Sequence, residues 1–154
     1  MHKLSKFLKI SCAALACGAT GLTMSEVTAA EALAIRVSLT SPVQPILIRN
    51  DHKPLLRITL EVTDPTDVVV TEIAFQLDGT DDIRDVGSLR GFWTGDSETF
   101  SSETSFGDSA GASSTVTFRG QQKLAIGKNV FWLTCQLSEA ANLVHHVFST
   151  HLLM

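Results

Sequence analysis

The chain has 154 residues, 44% of them hydrophobic, with 12 basic and 16 acidic side chains and a net charge of −4. That is enough for one domain with a real core. The acidic balance argues against nucleic acid as a partner, since phosphate recognition needs a basic patch, and no polybasic stretch is present to hold an anionic membrane surface.

The N-terminus reads as an export signal. Lys3, Lys6 and Lys9 form a basic region, residues 10–22 (ISCAALACGATGL) an apolar one, and Thr28, Ala29 and Ala30 suit a signal peptidase. Cleavage after Ala30, Ala32 or Ala34 fits the same pattern. The apolar run is shorter than the roughly 20 residues that span a bilayer, so a signal helix over residues 1–30 is expected. Cys17, after Ala14-Leu15-Ala16, offers a lesser lipoprotein reading. Removing residues 1–30 leaves nine basic and fifteen acidic side chains, a net charge of −6. The periplasm or the extracellular space is the expected destination. Cys135 is then the one cysteine left, so no internal disulfide and no thiolate metal site is encoded. It alternates with Phe131, Leu133 and Leu137 and reads as a small buried hydrophobe.

From Leu33 the apolar pattern has a period of two. Ile35, Val37 and Leu39 alternate with Arg36, Ser38 and Thr40, up to Ser41-Pro42. A short apolar stretch, Ile46 to Ile48, precedes the turn-prone Asn50-Asp51. Leu56, Ile58, Leu60 and Val62 alternate with polar neighbours and predict a half-buried strand. Asp64-Pro65-Thr66-Asp67 predicts a turn. Residues 68–77 (VVVTEIAFQL) predict a long strand ended by Asp78-Gly79. The segment after it carries Asp78, Asp81, Asp82 and Asp85 and reads as a loop with room for one helical turn. A short strand is expected over 89–95. The polar, Gly/Ser-rich residues 96–114 are expected to be an exposed loop or an edge hairpin tip. Two short strands, 115–118 and 122–126, are expected on either side of Arg119-Gly120-Gln121, then a turn at 127–129 and a strand over 130–137. Residues 138–143 (SEAANL) read as a turn or a short helical stretch, and the tail from 145 to 154 as irregular.

Seven to nine short strands without a long amphipathic helix predict an all-β fold, an antiparallel β-sandwich of jelly-roll or Ig-like type over residues 31–144, with a small barrel as the alternative. No internal repeat is present, so no multi-bladed propeller is encoded.

The strand TEIAFQLDGT, the segment LRGFWTG and the paired run LAIGKNVFWLTCQLS together resemble the small domain that precedes the catalytic propeller of bacterial BNR-repeat sialidases (neuraminidases). The resemblance covers residues 60–145, with weaker support from residue 31. It implies a non-catalytic N-terminal β-sandwich whose partner is a propeller normally in the same chain, with sialoglycans as a further expected contact. The family's Asp-box motif, Ser-x-Asp-x-Gly-x-Thr-Trp, is absent here. The family's nucleophile is a tyrosine, an exception among glycosidases, and the chain contains no tyrosine. Catalysis by that mechanism is therefore excluded for these residues. After Leu143 the chain leaves the family pattern for HHVFSTHLLM, which reads as a truncated or frameshifted coding sequence.

Other chemistry finds little support. The four aspartates sit in one polar loop with nothing to raise a carboxyl pKa for acid catalysis. Asp78, Asp81 and Asp82 offer at most a weak calcium site, without the spacing of an EF-hand loop. His52 is remote in sequence from His145, His146 and His151, so zinc is not expected. No cofactor is implied, and no Ser-centred nucleophile elbow occurs. Trp93 and Trp132 are the candidate carbohydrate contacts, because sugar C–H faces stack on indole rings. Arg90, Arg84 and Arg119 are candidates for a sugar carboxylate. A core or interface role is the plainer reading of each tryptophan, and a surface charge that of each arginine. Two further roles stay open, a free-standing carbohydrate-binding or adhesion module and a structural sandwich with an unrelated partner.

Overall fold

The computed structural model describes residues 35–42, 46–48, 51–63, 67–77, 80–142, 144, 147 and 151–153. The expected signal helix, its candidate cleavage sites, Cys17, Asp78, His145 and His146 lie outside them. Eight strands are present among the described residues: β1 (Ile35–Thr40), β2 (Lys53–Val62), β3 (Val69–Gln76), β4 (Val86–Trp93), β5 (Ser105–Ala110), β6 (Thr115–Lys123), β7 (Gly127–Leu137) and β8 (His151–Leu153). They form two antiparallel sheets, one ordered β1-β2-β7-β4-β5 and one ordered β6-β3-β8. The fold is the expected β-sandwich.

Alternation explains the core. Leu56, Ile58, Leu60 and Val62 of β2 meet Phe131, Leu133 and Cys135 of β7 and Leu89 of β4 on the inner side of the larger sheet. Ile73 and Phe75 of β3 and Val116 and Phe118 of β6 close the core from the smaller one. Full burial of each large side chain contributes about 1.5–3 kcal/mol. Bulges at Pro54/Leu56 and Val86/Ser88 shift the register locally. The second puts Val86, Leu89 and Trp93 on the same side of β4 despite their mixed spacing.

Four expectations need correction. The polar segment 96–114 contains strand β5, because Phe106 buries its ring in the core and carries its neighbours into register. Gly107, at φ +75, takes a backbone conformation that a Cβ would disfavour, and that Cβ would lie 2.8 Å from the Arg119 carbonyl oxygen. Residues 119–121 are no turn: β6 runs unbroken from Thr115 to Lys123. Gly120 is small because the Phe106 ring packs over it, where a Cβ would come within 2.9 Å. Residues 127–129 belong to β7, the reversal lying just before them. There the buried Asn129 accepts a hydrogen bond from Ala125 N–H at 2.9 Å and donates to the Ala125 carbonyl at 2.8 Å. Finally, the tail expected to be irregular supplies β8, which pairs through Leu153↔Ala74 and His151↔Gln76 with β3.

Candidate functional site

The outer face of the larger sheet carries a second apolar cluster, apart from the core. Phe92, Val130 and Trp132 form it, with Phe100 packed against them. Its origin is register. Arg57 of β2 stands opposite Trp132 of β7, and Trp132 stands opposite Phe92 of β4. One row of outward side chains, Arg57–Trp132–Phe92, therefore crosses three strands.

A flap over residues 94–104 lies on this row. Its feet join the sheet through backbone bonds: Thr94 N–H to the Val130 carbonyl at 3.0 Å, Val130 N–H to the Gly95 carbonyl at 2.7 Å, and Trp93 N–H to the Thr104 carbonyl at 2.9 Å. Phe100 turns back from the flap. Its ring meets Phe92 at 5.6 Å and Trp132 at 5.7 Å between centroids, both edge to face. The Trp132 indole N–H donates to Thr94 Oγ1 at 2.9 Å, and the Arg57 guanidinium lies 5.9 Å from the centre of the Trp132 ring. Glu98, at the exposed tip, accepts from Arg57 Nη1 at 3.1 Å and from Lys128 Nζ at 2.6 Å. The Lys128 contact, chiefly its hydrogen bond, lowers the Glu98 pKa, and the same bond raises that of Lys128.

His52, the residue just before β2, lies in the left-handed region, at φ 44. Its ring sits 5.6 Å from that of Phe92. Burial lowers its pKa, the positive charge of Arg90 lowers it further, and Asp51 opposes both.

The three candidate sugar contacts do not converge. Trp132 and Arg90 share the outer face, where Arg90 is exposed on β4 beside Thr134. Trp132 is only 6% exposed, so its ring has no open side while the flap lies on it. Trp93 points the opposite way, packs against the main core, and keeps a buried indole N–H without a hydrogen-bond partner. Arg119 pairs with Glu72 at 3.0 Å, and Arg84 with Asp82 at 2.7 Å.

The aspartates divide as well. Asp82 caps a 3₁₀ turn at Ile83–Asp85, accepting from Arg84 N–H. The buried Asp85 accepts from Asn142 N–H at 3.0 Å. No group of three His, Cys, Asp or Glu side chains is placed to hold a metal ion among the described residues. Cys135 is fully buried, and burial pushes its thiol pKa up to about 12.

Arg57, Thr94, Glu98, Phe100 and Lys128 are the members of this site that alternation alone did not single out. Phe100 carried a usable signal, as a lone aromatic inside the polar run 96–104.

Comparison with known proteins follows the same lines. The family model described as the N-terminal domain of BNR-repeat neuraminidase matches residues 34–152. The match runs past Leu143, where the sequence pattern was expected to end. Among solved structures, the Hadza microbial sialidase Hz136 is similar, with a TM-score of 0.61 and 16% identity over 74% of this chain. The match spans 27% of that sialidase's chain, and the likeness is one of fold. No curated protein matches the chain.

Proposed function

Since the chain belongs to the family of N-terminal domains of BNR-repeat neuraminidases, we propose that it is the non-catalytic accessory sandwich of an exported sialidase-like protein. In this reading it packs on a catalytic propeller and contacts sialoglycan, in the periplasm or outside the cell. The family match over residues 34–152 is the observation that carries it. The lack of any tyrosine in the sequence agrees with an accessory role. So does the lysine-led, apolar N-terminus with an exported destination.

Three measurements test the proposal. The chain alone should not hydrolyse a fluorogenic sialoside, and turnover by it would overturn the accessory role. A BNR-repeat propeller of the same family, produced with and without its N-terminal sandwich, should lose thermal stability or soluble yield when the sandwich is removed. An unchanged melting temperature and yield would remove the packing role. Reading the three frames downstream of Met154 should find Asp boxes, and their absence would detach this chain from a propeller of its own.

A further inference from the structure

We propose that the 94–104 flap holds shut a binding surface for a carboxylated sugar, and that its own Glu98 and Phe100 stand where that ligand lies when the flap opens. The inference rests on the glycan contact proposed above and adds the site, the ligand chemistry and the means of control.

The flap is fastened unevenly. Its feet are tied by the backbone bonds of Trp93, Thr94, Gly95 and Thr104. Ser97 Oγ donates to the Thr99 carbonyl and accepts from the Thr99 N–H, and Ser101 Oγ accepts from the Glu103 N–H, all within the flap. The tip reaches the sheet through Glu98 and Phe100. The Glu98 ion pairs are exposed to solvent, so they are weak and screened by salt. The tip can lift while the feet stay in place.

What the tip covers has a defined chemistry. Glu98 sets a carboxylate between a guanidinium and an ammonium, and Phe100 sets an apolar edge against Phe92 and Trp132. A carboxylated sugar supplies the same two features, an anionic group and an adjacent C–H face. With the tip lifted, Arg57 and Lys128 lose their carboxylate, and Phe92 and Trp132 lose their cover. The Arg57 Nε–H is buried and lacks a hydrogen-bond partner even in the closed form, leaving a donor for a bidentate grip on a carboxylate. Thr94 lies at a foot of the flap, so its bond to the Trp132 indole holds the ring in place during opening. Glu61, opposite Lys128 in the β2–β7 register, limits the positive charge of the surface and so disfavours polyanions. A ligand that binds only the open form is weakened by the fraction of molecules that are open. Loosening the tip should therefore tighten binding without any new contact.

The test uses the full chain and four versions of it: parent, E98Q, E98Q/F100A and R57Q/E98Q/F100A. Acrylamide quenching of tryptophan fluorescence reads flap opening, and titration calorimetry with 3′-sialyllactose against lactose reads the site. Quenching should rise in E98Q/F100A while circular dichroism stays that of the parent. Sialyllactose affinity should rise at least tenfold, lactose should gain nothing, and R57Q should remove the gain. E98Q, which leaves every apolar contact in place, should show a smaller gain even if F100A impairs folding. Unchanged quenching, an open flap without tighter binding, or an equal gain for lactose would overturn the inference. Sialyllactose binding that no variant alters would sink the flap site yet leave the glycan reading standing. No binding to any version would remove both. The propeller-packing role is decided by the separate stability measurement.

Discussion

On the inner face of β7, Phe131, Leu133 and Cys135 are 0–1% exposed beneath the smaller sheet. On its outer face, Val130 and Trp132 are 0% and 6% exposed beneath the flap. Burial is nearly equal and its causes are not. The inner face is covered by strands from distant parts of the sequence, so exposing it means separating the sheets. The outer face is covered by a single loop whose tip rests on one ring and one carboxylate. A dry side chain thus belongs to the scaffold on one side of a strand and to a coverable surface on the other. The free energy of opening separates them.

The contrast can be broken at several points. Leu133→Ala should have the largest effect, about 2–5 kcal/mol of global stability from lost burial and the cavity left behind. Urea unfolding should show the loss as a shifted midpoint with an unchanged slope. Phe100→Ala should cost less, about 1–2 kcal/mol for a half-buried ring. It should also speed hydrogen exchange at the Trp132 indole N–H far more than at backbone amides of β2. Parallel acceleration of both would show that the flap and the core open as one unit. Cys135 sharpens the same distinction. Its buried, high-pKa thiol should react with a thiol reagent only at the rate of global unfolding, so an E98Q/F100A chain should label no faster than the parent.

Two smaller effects follow from charge. The His52 pKa is depressed in the folded state, so the native chain binds fewer protons there than the unfolded one. Its contribution is present above the ordinary imidazole value and is lost as pH falls below it towards the folded pKa. Stability should decline modestly between pH 7 and pH 5.5, and His52→Gln should flatten that slope in pH-dependent urea titrations. Glu98, also depressed, contributes above the ordinary glutamate value and loses its part as pH falls through the folded pKa. The smallest effect is that of salt: raising NaCl should increase tryptophan quenching in the parent and leave it nearly unchanged in E98Q.

Alternation carried most of the fold. β2, β3 and β7 announce themselves because one face of each meets a continuous core: burial alternates along Leu56–Val62 and Ile73–Leu77, and in β7 the apolar Phe131, Leu133 and Cys135 keep one parity although the residues between them are buried as well. β5 was hidden because a single ring, Phe106, supplies its anchorage amid serine and glycine. β6 read as two pieces because Gly120 looks like a turn when the ring that requires its smallness is fourteen residues away. The tail offered no alternation, and β8 follows from pairing with β3. The candidate site was legible only in part. Trp132 and its parity were visible, and its outward position follows from them. Its cover was not, because the return of Phe100 onto β7 depends on contacts between segments some thirty residues apart.

The order of the larger sheet has a kinetic consequence. β7 lies between β2 and β4, yet it is made after both, with Ile58 waiting for Phe131 and Phe92 for Trp132. During synthesis the β1–β2 hairpin and β4 have no central strand to join until residue 137 has emerged. Such nonlocal pairing raises contact order and slows folding into the millisecond-to-second range expected of β-sandwiches. Until then Leu56, Ile58 and Leu60 lie bare on an incomplete sheet, where association with other chains competes with folding.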